Sequence, residues 1–363
     1  MDELNIDDKR NTNDFRGITF SKFKKSDVKK ELLNSINNNK IENACNWSAE
    51  LVCAGHFSEL WEIIIFCIGK HIHLGNPKLP IYINLRFQAF KEIVQTGFIG
   101  NELLLRNNSK IRTLFAEIIS ILCVSNKKPA FEIIKIKNDE FNMMSITGKL
   151  KAPNVNYAKS FFRQNDPSEI YIAINELAFQ LSGSDKNLLK SCFWIEWLIE
   201  FDAVCRKNKQ NLTCEMRTFP KIDQKYQNDV IWIVWELLLL SVKSNPVTER
   251  IMNAILDLFS LKYSYSVKKK RRYLLYFAVE IVTETIPTHI EILDKKEKET
   301  VDNVVKKINL IYKNIKKYEE KSNSDYLLAN LPTEKRSNAE KTIEKLGKMD
   351  TLNSAMIPRR EKI

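Results

Sequence analysis

The sequence predicts a mainly α protein: a multi-helix globular bundle with at most a small β-hairpin, followed by a long C-terminal helix and a flexible tail. Three observations predict it. Apolar residues recur three and four positions apart in window after window, as they do when each of many helices buries one stripe. Between the windows stand Asn, Gly and Pro clusters that start or stop helices. The apolar–polar alternation that strands need occurs only in broken form, over 131–147.

At 363 residues the chain has room for one large domain or two of ordinary size. Hydrophobic residues at 44% and charged residues at 28% are a globular balance. The most apolar run, Val230–Val242, contains Glu236 and falls short of the ~20 residues a bilayer span needs. The first residues, MDELNIDDKR, are polar and lack the apolar core of a secretory signal. The seven cysteines lie mostly among apolar residues, which fits free buried thiols in a reducing compartment better than a disulfide framework. The formal charge of +12 permits contact with nucleic acid or with an acidic protein surface and chooses neither.

Residues 1–14 carry no periodic apolar face and read as a flexible arm. Phe15 and Phe20, among lysines, are expected to dock on the body of the protein or on a partner, the body being the favoured reading. A first helix is expected from Ser26, with Val28, Leu32, Leu33 and Ile36 on its inner side. A second runs through Cys45–Ala54 and a third from Phe57 to His71, with Ser58 as N-cap. Gly75, free to take positive φ, and Pro77 stop it. Residues 41–80 hold three of the four histidines, three cysteines, Trp47 and Trp61, and the chain is read as organised around this hairpin.

Helical patterns resume over Ile81–Thr96 and Asn101–Val124. Residues 125–155 are the least helical interior stretch: a small hairpin, or a loop packed on helices. Helices follow at Asn156–Phe162 and at Pro167–Leu181, the latter with Asp166 as N-cap and proline at the first helical position. Further helices are expected at Lys186–Arg206, Asp229–Val242, Val247–Leu261, which Asn245-Pro246 caps, and Val267–Thr285. Leu293, Val301, Val304, Val305, Ile308 and Ile311 mark a long exposed helix within 288–321, laced with Lys and Glu. The expected organisation is a flexible arm at 1–14, helical domains at 15–124 and 156–287 joined by an irregular linker or hairpin at 125–155, a long charged helix at 288–321, and a flexible basic tail at 322–363.

Cys53 and His56, with His71 and His73 downstream, have a spacing zinc accepts. Against that, the cysteines fall on apolar helix faces and the histidines near a helix end, so packing is the favoured reading and no metal or cofactor is assigned. No cysteine or histidine stands in a nucleophile signature, and there is neither a P-loop nor GxGxxG, so no catalytic residue is assigned. Glu196 and Glu200 share a helix face, where a buried like-charge pair would raise one pKa, but partnership with Lys or Arg from another helix is the simpler reading. The run Lys268, Lys269, Lys270, Arg271 and Arg272 is the strongest electrostatic feature, a candidate contact for nucleic acid or an acidic partner. Trp47, Trp61, Trp194, Trp197, Trp232 and Trp235, with Gly75 and Pro77, are read as structural anchors.

Five segments together carry a resemblance. They are Phe15-Arg16-Gly17-x-x-Phe20-Ser21-Lys22, Ala44-Cys45-x-Trp47-Ser48-Ala49-Glu50-Leu51-x-Cys53-Ala54-Gly55-His56, Ile72-His73-Leu74-Gly75-Asn76-Pro77-Lys78-Leu79-Pro80, Lys151-Ala152-Pro153-Asn154-Val155 and Trp194-Ile195-Glu196-Trp197-x-x-Glu200-Phe201-Asp202. As a set, spanning about residues 15–285, this resembles a protein family shared by large nucleocytoplasmic DNA viruses of protists and algae. The resemblance implies a late, virion-associated, non-enzymatic structural protein: a minor capsid component bridging capsid subunits. Its partners would be viral capsid proteins or itself, and its place the virion, with the host cytoplasm (the virus factory) during assembly. The alternative is a basic DNA-binding accessory protein of genome packaging or replication.

Overall fold

The computed structural model describes residues 4–183, 186–286 and 291–321. They are mainly helical, and among them no β-strand forms beyond two isolated bridges, Ile18 with Lys24 and Thr213 with Asp229. No described helix is long and apolar enough to cross a membrane. The expected tail, 322–363, lies outside the described residues.

Helix α1, Lys25–Asn37, buries Val28, Leu32 and Ile36, the stripe the spacing predicts. It starts one residue before Ser26, and its first N–H is taken by the Gly17 carbonyl at 3.0 Å. That bond belongs to the docked segment 15–24, in which Phe15 and Phe20 are fully buried. Helix α2, Ile41–Cys53, begins four residues earlier than its cysteine stripe suggests. Helix α3, Phe57–Cys67, is capped by no side chain; Ser58 is inside it and exposed. Beyond Cys67 the chain widens into a π turn at Ile68–Ile72, and His73 then takes φ 50°, an uncommon value for a residue with a Cβ. Gly75 does not have positive φ: a Cβ there would lie 2.3 Å from the Asn126 carbonyl oxygen, so glycine is required by close approach.

Helix α4, Leu79–Gln95, buries only Leu79, Pro80 and Ile83 fully. After a 3-10 turn at Glu102–Asn107 comes α5, Ser109–Val124, whose N-terminus is capped by the Asn108 side chain. Residues 125–137 are extended without strand pairing, the loop alternative to a hairpin; Lys128 and Ala130 donate to the carbonyls of Ile72 and Lys70. A short α6, Met143–Ile146, follows. Residues 156–162 form turns where a helix was expected. Helix α7 is Tyr171–Leu181 and α8 is Leu188–Lys207, the latter capped by Asn187. Helix α9 is Ile231–Ser241, and α10 is Pro246–Ser260, capped by Asn245 with proline at its start. The expected helix Val267–Thr285 is broken at Arg271 into α11, Val267–Lys270, and α12, Arg272–Thr283. Helix α13, Lys295–Lys316, opens on a capping box of Asp294 and Glu297. It is exposed on one side only: Val301, Ile308, Tyr312 and Ile315 are buried against α2 and α5.

The described residues of 4–6 and 11–318 belong to one compact unit with a continuous apolar core. The segment 125–155 therefore lies within a unit rather than between two. Among the described residues, a small second unit contains Asp7–Arg10 and residues 319–321; in it Arg10 grips the Asp8 carboxylate at 2.6 Å and Lys9 N–H meets the Glu320 carbonyl. In the large unit, α12 is a helix with no exposed side. Every residue from Arg272 to Val282 is buried, packed by α3, α7, α8, α9, α10 and the π turn.

One prediction tests the close approach at Gly75. Gly75→Ala is expected to lower unfolding free energy by about 2 kcal/mol, since overpacking against backbone costs about 1–3 kcal/mol. Gly17→Ala, with nothing within 4 Å of its Cβ, is the control and should stay within about 0.5 kcal/mol. Urea denaturation of both variants measures the difference.

Candidate functional site

The polar residues singled out by sequence are drawn into three buried networks. The first contains the basic run. Lys268 is buried between Asp202, at 2.6 Å, and Asp229, at 2.8 Å. Arg206 pairs with Asp202 at 2.9 Å and the Tyr263 hydroxyl donates to Asp229 at 3.0 Å. Lys269 pairs with Glu200 at 2.8 Å, while Arg272 pairs with Glu196 at 2.8 Å and lies 3.8 Å from Glu200. Arg271 meets Glu62 and also donates to the carbonyls of Leu258, Phe259 and Leu261 at 3.3, 2.7 and 2.6 Å. The last three bonds satisfy carbonyls that α10 leaves open at its C-terminus and place a cation at the negative end of its dipole. Lys270 is the exposed member of the run.

Burial raises the Glu196 carboxyl above its ordinary value, outweighing Arg272 and the Tyr276 hydroxyl, which donates to it at 2.8 Å. The same burial, with Glu196 beside it, pushes the Tyr276 hydroxyl up. Glu196 and Glu200 each face a cation from the α11–α12 segment, the partnership with Lys and Arg from another helix.

The second network surrounds Arg217, whose side chain is fully buried. Its guanidinium holds Asp166 at 2.5 and 2.7 Å, Glu236 at 3.0 Å, and the carbonyls of Glu215 and Phe161 at 2.7 and 3.0 Å. All five guanidinium N–H groups are thereby engaged. Asp166 also accepts the N–H groups of Arg163 and Glu215. Burial opposes ionisation of Asp166, but the Arg217 bonds and these N–H groups prevail and hold its carboxyl below the usual range. Asp166 is therefore no N-cap of α7; it anchors the irregular segment between α8 and α9. Sequence reasoning missed Arg217, whose only local signal is a lone arginine in a polar loop.

The third network holds the histidine named as a metal candidate. His73 stacks on Phe277 at 4.7 Å and its Nδ1 lies 2.5 Å from a Glu280 oxygen, the other oxygen accepting from Lys128 at 2.9 Å. Burial raises the Glu280 pKa, but His73 and Lys128 overcome it and the net shift is downward. His56 Nε2 donates to the Ile18 carbonyl at 2.8 Å, tying the docked segment to α3. His71 lies near Asn37 and the ring of Phe66, and burial followed by the charges of Lys70 and Lys127 lowers its pKa. Cys53 is fully buried and its thiol is pushed far up, first by burial and then by Glu50. The four candidate ligands thus face four different sets of partners. Among the described residues no group of three or more His, Cys, Asp or Glu is placed to hold a metal ion. All seven cysteines are free and buried; burial pushes Cys45 up to about 11 and Cys67 to about 12.

The tryptophans occupy interior positions of differing character. Trp194, Trp232 and Trp235 are essentially fully buried. Trp197 stacks on Phe201 and donates to the Glu140 carbonyl at 2.8 Å, while Trp232 donates to the Tyr226 carbonyl at 2.7 Å. Trp47 is half-buried, edge-on to Phe23. Pro77 is buried in the turn before α4. Trp61 differs: it lines a groove of about 470 Å³ between α3, α4 and the end of α10, with Phe87 and Phe90 against it. The i, i+3 spacing of those two phenylalanines was the available signal for this groove, and it was absorbed into a generic helical stripe. Neither His56 nor Glu196 lines it.

No family model, no curated protein and no solved structure matches this chain.

Arg217→Met is expected to cost about 3–5 kcal/mol, because it strands a buried carboxylate without its cation. Asp166→Asn in that background should recover part of the loss. The Asp166 pKa is lowered in the folded state, so its contribution is complete at neutral pH and disappears as pH falls through the lowered value. Urea denaturation from about pH 7 to about pH 3 should accordingly show a shallower acid loss in Arg217→Met than in the parent chain.

Proposed function

We propose that this chain is a non-enzymatic structural component of a large DNA virus particle, a minor capsid protein that bridges capsid subunits. The viral assignment is supported by the five-segment resemblance. One structural observation supports a scaffold within it: the carboxylates and cations with the best claim to chemistry are engaged with one another. Glu196, Glu200, Asp202, Asp229, Lys268, Arg271 and Arg272 are held in this way. A reacting group has to meet its substrate, whereas these groups meet neighbouring helices. Bridging would then run through exposed surface, including the outward side of α13 with its lysines and Leu310, 62% exposed. The partners in this reading are capsid proteins or further copies of the chain, in the virion and, during assembly, the host cytoplasm.

The second reading, a DNA-binding accessory protein, is favoured by the net charge of +12. Its original focus is weakened, since four of the five residues in Lys268–Arg272 already have carboxylate partners.

Fractionation of purified virions separates the readings. The capsid reading expects the protein in fixed proportion to the major capsid protein and retained with the shell after nuclease treatment. Release together with the genome, and duplex binding by the purified chain that falls about 10³-fold or more between about 50 and 200 mM salt, would establish the second reading instead.

A further inference from the structure

We propose that the groove between α3, α4 and the end of α10 is a binding site for a single long-chain fatty acid. The proposal is independent of the capsid reading. Its volume of about 470 Å³ lies within the ~300–1,000 Å³ range of small-ligand sites. The floor is apolar: Trp61 meets Phe87 edge-on at 4.9 Å and Phe90 at 5.7 Å, with Ile65, Val94 and Leu105 beside them. Phe87, Phe90 and Val94 on α4 remain partly exposed, although nothing in a solvated helix face calls for them.

One further observation specifies a carboxylate end: the charged lining is unbalanced. Glu62 is paired with Arg271, and Asp257 accepts from Asn84 at 2.8 Å with Lys221 at 4.0 Å. Lys91 and Lys262 line the groove without a carboxylate partner among the described residues; Glu102 is the one opposing acid. An apolar channel with spare ammonium groups complements a chain that is apolar along its length and anionic at one end.

The test titrates the purified full-length chain with cis-parinaric acid, a fluorescent polyunsaturated fatty acid, and follows energy transfer from tryptophan. The expected result is saturable one-site binding with Kd on the order of micromolar, displaced by palmitate and poorly by methyl palmitate. Val94→Trp fills the groove and should weaken binding at least about tenfold. Gln88→Trp, at an exposed lining position, does the same with little risk to folding, and circular dichroism verifies both variants. Lys91→Glu with Lys262→Glu should weaken the acid by at least about threefold and leave weak methyl ester binding unchanged. Absence of saturable binding, or affinity unchanged in a folded groove-filling variant, overturns the proposal. Equal competition by palmitate and methyl palmitate would also overturn it, identifying the groove as an apolar surface with no preference for a carboxylate.

Discussion

A helix with no exposed side cannot put its charged residues in water, and α12 carries Arg272, Tyr276 and Glu280 at successive four-residue steps. Four-residue spacing aligns them on one face. Each therefore has to find a partner inside the protein, because an unpaired buried charge costs several kcal/mol. Arg272 and Tyr276 take Glu196 from α8; Glu280 takes His73 from the turn after α3 and Lys128 from the extended segment after α5. Just upstream, Arg271 holds α3 through Glu62 and closes the end of α10. Lys268 holds α8 through Asp202 and the start of α9 through Asp229. The positions of most elements around α12 follow from this one stretch.

Such pairs do not by themselves make the fold more stable than an apolar core of the same shape, since desolvation offsets much of their attraction. What they restrict is the set of alternative packings. An apolar stripe tolerates sliding by a turn, because leucine and isoleucine fit many neighbours. Arg217, with five donors engaged by five acceptors in a fixed fork, does not tolerate it. The loop between α8 and α9 has little regular structure of its own, and this guanidinium gives it a defined path.

The helices were legible from sequence because their signal is local: Val28, Leu32 and Ile36 mark the inside of α1 whatever surrounds it. Local caps were legible where no distant group competed, as at Asn245-Pro246. Asp166-Pro167 carried the same local signal, and Arg217, 51 residues away, captured the carboxylate. The partners of the basic run were hidden for a related reason. Lysine and arginine in sequence look the same whether water or carboxylate faces them, and the partners lie 76 residues away at Glu196 and 209 away at Glu62. Gly75 was recognised as necessary but for the wrong cause, since a close backbone approach leaves no mark in the glycine's own neighbours. The hairpin 41–80 drew attention by its unusual residues; the organising helix was inconspicuous because its residues are ordinary.

Engagement of the basic run relocates the question of what the net positive charge does. Charge neutralised inside the protein contributes little field outside it, and that field is what attracts a phosphate backbone or an acidic surface. The surplus must then reside on exposed lysines such as Lys270 and those of α13. On α13 the lysines alternate with Glu and Asp over its first half, from Lys295 to Asp302, while the second half, from Lys306 to Lys316, carries lysine without acid. A helix whose inner face is fixed to α2 and α5, and whose outer face grades from mixed to positive charge, presents a directional surface. Direction matters more to a protein that must sit in one orientation between neighbours than to one that follows a uniform phosphate chain, and in that respect α13 suits the bridging reading better than the DNA-binding one.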